Sequence, residues 1–337
     1  RHDDYSISGL PAFQEDFCKG KPLYITFKDS YLRYDNGSIV IQKEGENRHL
    51  SLRDISRIII VGKPRISAGL IQQALIMKKP VVFMGINGHI LGGFAHNLKQ
   101  YCPKDIYNPL TDDWDGFCLH FVRLLVAAKL HNQRMVLKQS KIDEPRLKEL
   151  EMSLASCQNV DSLRGKEGAG SQIYWSHFRD LAQPLDFPRR AYHPPEGPVN
   201  ALLSIGYSTL YFRMAECLQA AQLNPYEGIF HSPRGLHYAL ASDLIEPFRF
   251  LVDRIVLTLI HTKQIGPEDF VCTTNSSYSH LASHAMKAYI NRFEFTMRTE
   301  VSLNNQDHTW ASLIDRSATQ LMRCLRLGLP FKPLRMS

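Results

Sequence analysis

The sequence predicts an α+β chain in which a small β-rich N-terminal domain, residues 21–100, precedes a larger all-α domain, residues 101–337. Three observations carry that reading. Up to Phe94 the apolar residues fall in short runs of strand length separated by turn residues. After Tyr101-Cys102-Pro103 they recur at helical spacing. The length of 337 residues is also more than one hydrophobic core usually serves.

Strands are expected at Leu23-Tyr24-Ile25-Thr26-Phe27, Tyr31-Leu32-Arg33-Tyr34 and Ser38-Ile39-Val40-Ile41, with Asp35-Asn36-Gly37 as the turn of a hairpin. Ile58 to Val61 and Val81-Val82-Phe83 read as two buried strands, and between them Ser67 caps a short helix carrying Leu70, Ile71, Ala74 and Leu75. In the second domain Phe117, Phe121, Leu124, Leu125, Ala128 and Leu130 form one apolar helical stripe, with Lys129, His131, Arg134 and Lys138 behind it. Further helices are expected over residues 144–155, 171–181, 199–221, 239–261, 278–299 and 310–327, with a Pro-rich break at 188–198. Residues 1–20 read as a tail or linker; position 1 is Arg rather than Met, so a junction with an upstream domain fits as well as a trimmed tail.

Lysine and arginine outnumber aspartate and glutamate by 40 to 33, and the resulting charge of +7 suits a polyanionic partner without demanding one. No apolar run reaches the roughly 18 residues a membrane-spanning helix needs. Seven cysteines are scattered, odd in number and without a C-x-x-C pair. That pattern argues against a disulfide framework and a zinc site, and for a reducing, cytoplasmic setting.

Three segments carry candidate chemistry. Asp243 and Glu246 lie three apart and share a helix face, just downstream of His231; carboxylates with a neutral imidazole form a ligand set for magnesium or manganese. The same spacing also fits an ion-pair face of Asp243, Glu246 and Arg249, with His231 an ordinary loop histidine. Pro247 kinks the helix directly after Glu246. The second segment, Arg164-Gly165-Lys166-Glu167-Gly168-Ala169-Gly170, places an acid among glycines and basic residues at the expected opening of a helix, where an anion would be favoured. It matches no nucleotide-binding fingerprint, and a glycine-rich helix start with a first-turn Glu favouring the dipole is the commoner explanation of such a pattern. In the third, Val199, Leu202, Leu203, Gly206, Leu210 and Met214 form a core stripe, and Asn200 is expected to hydrogen-bond backbone.

Taken in order, Gly165-x-Glu167-Gly168, Pro198-Val199-Asn200-Ala201-Leu202-Leu203, Gly228-x-x-His231 and Asp243-Leu244-Ile245-Glu246-Pro247-Phe248-Arg249 resemble the CRISPR-associated integrase family of spacer acquisition. The likeness extends to Ile66-Ser67 through Met84, to Gly92-Gly93-Phe94 and to Lys129-Leu130-His131-Asn132-Gln133-Arg134, covering roughly residues 21–330. It implies a β-rich dimerisation domain and a helical catalytic domain. By the same resemblance Glu167, His231 and Glu246 are the catalytic residues and hold Mg2+ or Mn2+, while Asp243 either supports a ligand or serves as an alternate one. Arg164, Lys166, Arg234 and Arg249 are then candidates for DNA contacts.

The activity implied is a metal-dependent DNA integrase that joins the 3′-hydroxyl ends of short DNA fragments into a repeat array by transesterification. The implied partners are duplex DNA with single-stranded 3′ ends, the CRISPR repeat, a second copy of the chain, a small second adaptation protein and, in some members, a fused or associated reverse transcriptase; no membrane is involved. Two other readings use the same residues. One is a stand-alone metal-dependent DNA endonuclease, in which water replaces the 3′-hydroxyl. The other is a non-catalytic DNA-binding scaffold with a structural acidic cluster.

Overall fold

A computed structural model describes residues 20–26, 29–86, 88, 90–95, 100–107, 113–191, 196–233, 235, 237–272, 279–303 and 306–336. Apart from Gly20, the expected tail or linker at residues 1–20 lies outside them, as does Arg234.

Strands β1 (Lys21–Ile25), β2 (Tyr31–Asp35) and β3 (Ser38–Lys43) form close to where alternation put them. Asn36 and Gly37 take φ angles of 43° and 85°, the left-handed pair that a tight hairpin needs. β4 (Glu46–Ser51) left no sequence signal because all six of its residues are exposed; it is held by pairing with β3, Ser38 opposite Ser51 through Lys43 opposite Glu46. After β5 (Ile55–Val61) and the two-residue β6 (Arg65–Ile66) comes α1 (Ala68–Ile76), capped by Ser67, whose Oγ accepts from Leu70 N at 3.2 Å. β7 (Val81–Met84) and β8 (Ile90–Phe94) complete this region.

These strands make two four-stranded sheets, ordered β4-β3-β2-β6 and β1-β5-β7-β8. In the second sheet β1, β5 and β7 run parallel and β8 antiparallel. β5 is buried along its whole length, which its unbroken Ile58-Ile59-Ile60-Val61 run anticipates. Ile58 and Ile60 join Ile25, Leu32, Ile39, Leu70 and Val81 in one core, while Ile59 and Val61 face the other way, toward Val82, Met84 and Phe212.

The chain from residue 101 onward is mainly helical: α2 (Pro103–Ile106), α3 (Trp114–Gln139), α4 (Pro145–Ser153), α5 (Val160–Leu181), α6 (Gly197–Ala220), α7 (Ala239–Ile245), α8 (Arg249–His261), α9 (Ser283–Arg298) and α10 (Trp310–Leu327). Its core runs from Phe121 to Phe331. It is not all-α, as the sequence reading expected. Two short antiparallel ribbons, β9 (Phe270–Cys272) with β10 (Ser279–Leu281) and β11 (Glu300–Leu303) with β12 (Gln306–Thr309), are too brief to leave a two-residue period. β10 also displaces the start of the helix expected at residue 278 to Ser283.

A second correction concerns α5. It starts at Val160, not near residue 171, so the glycine-bearing segment lies inside the helix and offers no helix N-terminus to an anion. Asn159 Oδ1 caps it by accepting from Ser162 N at 2.8 Å, and Leu163, Tyr174 and Phe178 bury one face. That burial outweighs the roughly 1 kcal/mol each interior glycine costs. The kink expected at Pro247 is present as a single 3-10 turn, Glu246–Phe248, between α7 and α8. α3 packs against both α5 and this turn, and the three elements frame the site.

Candidate active site

α5 presents Glu167, the 3-10 turn presents Glu246, and α3 sends Lys129 between them. Lys129 Nζ pairs with Glu167 Oε1 and stands 2.6 Å from Glu246 Oε2. Glu167 Oε1 also accepts Ser171 Oγ at 2.9 Å. Arg249 Nε donates to Glu246 Oε1 at 2.9 Å, and its guanidinium lies 4.9 Å from the Tyr207 ring centre.

Glu246 is only 4% exposed, and burial alone would raise its pKa. Arg249, Lys129 and His231 together outweigh that and hold the carboxyl at about 2. The converse acts on Lys129: burial favours the neutral amine, but Glu246 and Glu167 prevail and push its pKa up. Glu246 and Lys129 are therefore both charged at neutral pH.

Asn132 explains how the turn is held. This buried α3 side chain donates Nδ2 to Pro247 O at 2.7 Å and to Leu334 O at 3.0 Å, and its Oδ1 accepts from Met336 N at 2.8 Å. The turn and the C-terminal segment are thereby clamped on α3.

His231 sits in the loop before α7. Asp243, on α7 and fully buried, accepts from the backbone N–H groups of Ile229, Phe230 and His231 at 2.6, 3.0 and 2.9 Å, and faces His231 Nδ1 at 2.7 Å. This pairing assigns the ring proton to Nδ1 and leaves the lone pair on Nε2. A Cβ at Gly228 would lie 2.2 Å from His231 O, so the loop can close on α7 only with glycine there. Arg164 ties the loop to α5: its Nη2 donates to Phe230 O at 2.9 Å and its guanidinium lies 5.3 Å from that ring's centre. Lys166 is half-buried on α5 beside Glu167.

Behind the site, Asp253 on α8 is 1% exposed and accepts the hydroxyls of Tyr174, at 2.8 Å, and Tyr207. Burial raises its pKa to about 6 against the pull of these hydrogen bonds and of Arg249 and Arg190. Asn200 ties down neighbouring backbone as expected: its Oδ1 accepts from Ala191 N at 3.0 Å and its Nδ2 donates to Arg189 O and Glu196 O, both at 2.8 Å.

Glu167 and Glu246 thus meet at Lys129, and His231 pairs with Asp243, the four residues coming from four elements, with Arg164 bound to the His231 loop and Arg249 to Glu246. Sequence reasoning missed the parts played by Lys129, Asn132 and Asp253. The first two lie in the Lys129 to Arg134 segment, noted for its basic residues and its resemblance but given no role at the site; Asp253 left no signal.

The donor chemistry fits a divalent cation. Two carboxylates meet at one cationic position, the histidine has Nδ1 committed elsewhere, and Glu246 Oε2 has only its ion pair and no hydrogen bond of ordinary geometry. Among the described residues no three His, Cys, Asp or Glu side chains stand together as a ligand group, and Lys129 lies between the two glutamates.

The family model for CRISPR associated protein Cas1 matches residues 23–295. The chain belongs to the Cas1 family. Curated relatives in that family carry the name CRISPR-associated endonuclease Cas1. A Cas1 endonuclease of Thermodesulfovibrio yellowstonii is 30% identical over 81% of this chain and 90% of its own length. A Cas4 exonuclease/Cas1 endonuclease fusion of Geobacter sulfurreducens is 29% identical over 97% of this chain, which spans 62% of that fusion. Among solved structures, a Cas6-RT-Cas1–Cas2 complex matches with a TM-score of 0.80 and 24% identity, covering 95% of this chain and 36% of that one. A casposase bound to integration product matches with a TM-score of 0.80 and 21% identity, covering 94% of each. Below 25% identity these two likenesses establish the Cas1 fold.

Proposed function

We propose that this chain is a metal-dependent DNA integrase that joins the 3′-hydroxyl ends of short DNA fragments into a CRISPR repeat array. The supporting observation is the convergence of Glu167 and Glu246, from separate elements, on one cationic position beside a histidine that Asp243 orients. Glu167, Glu246 and His231 would hold Mg2+ or Mn2+; bound there, the ion activates a hydroxyl and stabilises charge on a phosphate.

The chain's own groups position that chemistry. Arg249 keeps Glu246 ionised and aimed, and Asp243 fixes the histidine tautomer. Lys166 and Arg234 are candidates for DNA phosphates. Arg164 and Arg249 are further candidates, because a guanidinium group matches phosphate geometry.

The same proposal divides the chain into a dimerisation domain at residues 21–100 and a catalytic domain at residues 101–337. Leu50, Ile76, Ile86, Leu91 and Phe94, all before residue 100, expose large apolar side chains, which favours a second copy as partner. A small second adaptation protein and an associated reverse transcriptase accord with the similar Cas6-RT-Cas1–Cas2 complex. No described helix is long and apolar enough to cross a membrane; a cytoplasmic setting follows from the cysteine pattern.

The test incubates the protein and its small partner with a labelled duplex bearing 3′-hydroxyl ends and a supercoiled plasmid carrying a repeat array, in Mn2+ or Mg2+. Label should join the plasmid covalently, and be lost with EDTA, with a 3′-dideoxy end and with Glu246→Ala. Metal-dependent cutting without joining would instead identify an endonuclease. Binding without either reaction would leave a scaffold.

A further inference from the structure

We propose that Lys129 is the resident cation of the metal site: its ammonium holds the position between Glu167 and Glu246 until a divalent ion displaces it, so Lys129 sets metal affinity and couples metal loading to DNA arrival. This rests on the metal-site reading above and extends it to a residue that supplies no ligand.

Lys129 comes from the middle of α3, and its side chain is 11% exposed. Its Nζ touches both glutamates, whereas Arg249 reaches Glu246 at the other oxygen and lies over Tyr207. Without a cation between them, two carboxylates directed at one largely buried point would repel and turn apart. The ammonium keeps both aimed at one point in the metal-free protein. It holds the ligands ready and competes for them at once.

Charge balance sets the consequence. Among the groups that touch Glu167 and Glu246 directly, the two carboxylates are matched by Lys129 and Arg249, while the charge of Asp243 is met by three backbone N–H groups and His231. A divalent ion entering with Lys129 still in place would leave two positive charges uncompensated in a largely buried site, a costly state. An ion that displaces the ammonium leaves one, and one phosphodiester neutralises it. Metal and DNA should therefore bind with positive linkage, each strengthening the other by the same factor. Lys129 should then weaken metal binding in the absence of DNA.

The test titrates Mn2+ into the full chain and follows the free-ion electron paramagnetic resonance signal, with and without duplex DNA. Lys129→Met should bind Mn2+ at least about 10-fold more tightly than wild type without DNA, and DNA should then add less. Lys129→Arg, which keeps the charge, should not show the gain. Since Lys129→Met leaves two carboxylates facing each other, a second measurement uses wild type alone. Lysine labelling read by mass spectrometry should find Lys129 protected without metal and labelled several-fold faster at saturating Mn2+.

Equal or weaker Mn2+ binding by Lys129→Met, or Lys129 still protected at saturation, would overturn the proposal. If binding nonetheless depends on Glu246, the metal site stands and only the role of Lys129 fails. Binding indifferent to Glu167, Glu246 and His231 would remove both.

Discussion

Glu246 and Asp253 lie seven residues apart on one continuous stretch, both buried, and their acidities diverge. Glu246 is held at about 2 and Asp253 is raised to about 6, although burial pushes both upward. The difference lies in their partners. Glu246 touches Lys129 and Arg249, whole positive charges within 3 Å, whereas Asp253 has two neutral phenols. Charge partners can reverse a desolvation penalty; hydrogen bonds from hydroxyls reduce it without overcoming it. One carboxylate is thereby kept as an anion ready for a cation, and the other serves as an anchor.

The sharpest way to break this contrast is Glu246→Gln, which keeps the shape and removes the charge. DNA joining should fall at least about 1,000-fold, because a ligand and the partner of two cations are lost together. The strand-transfer assay reads this directly.

Next in size is the pH response of Asp253. Its folded pKa of about 6 lies above its ordinary value of 3.8. Between those values the folded state binds more protons than the unfolded, so stability falls as pH rises from about 4 to about 6. The loss is on the order of 3 kcal/mol. Asp253→Asn should flatten that slope in urea melts, while Glu246→Gln should leave it in place.

A smaller effect is expected at Asp243, which accepts three backbone N–H groups and orients His231. Asp243→Asn should weaken Mn2+ binding by about 10–100-fold. The smallest is Ser171→Ala, which removes one hydrogen bond to Glu167, worth about 1 kcal/mol and so roughly 5-fold in Mn2+ affinity.

Much of the fold was legible. The Asp35-Asn36-Gly37 turn, the Ser67 cap, the stripe from Phe117 to Leu130 and the helix from Trp310 to Leu327 each follow from local chemistry. β4 escaped because an all-exposed strand carries no apolar pattern, and the early start of α5 because its glycines read as a loop. At the site, spacing alone allowed an ion-pair face as readily as a ligand set, and the Glu246–Arg249 pair is present. The grouping of Glu167 with His231 and Glu246 came from resemblance to a family. Lys129 was hidden for a different reason: its partners lie 38 and 117 positions away, and nothing local distinguishes it from the other basic residues behind that stripe.

The proposed function requires a divalent ion held jointly by Glu167, Glu246 and His231. Anomalous diffraction from crystals grown in Mn2+ tests it most directly. It predicts a peak about 2.0–2.5 Å from oxygens of both glutamates and from His231 Nε2, with Lys129 moved aside. No peak there at saturating Mn2+, with the ammonium still bridging the carboxylates, would contradict it.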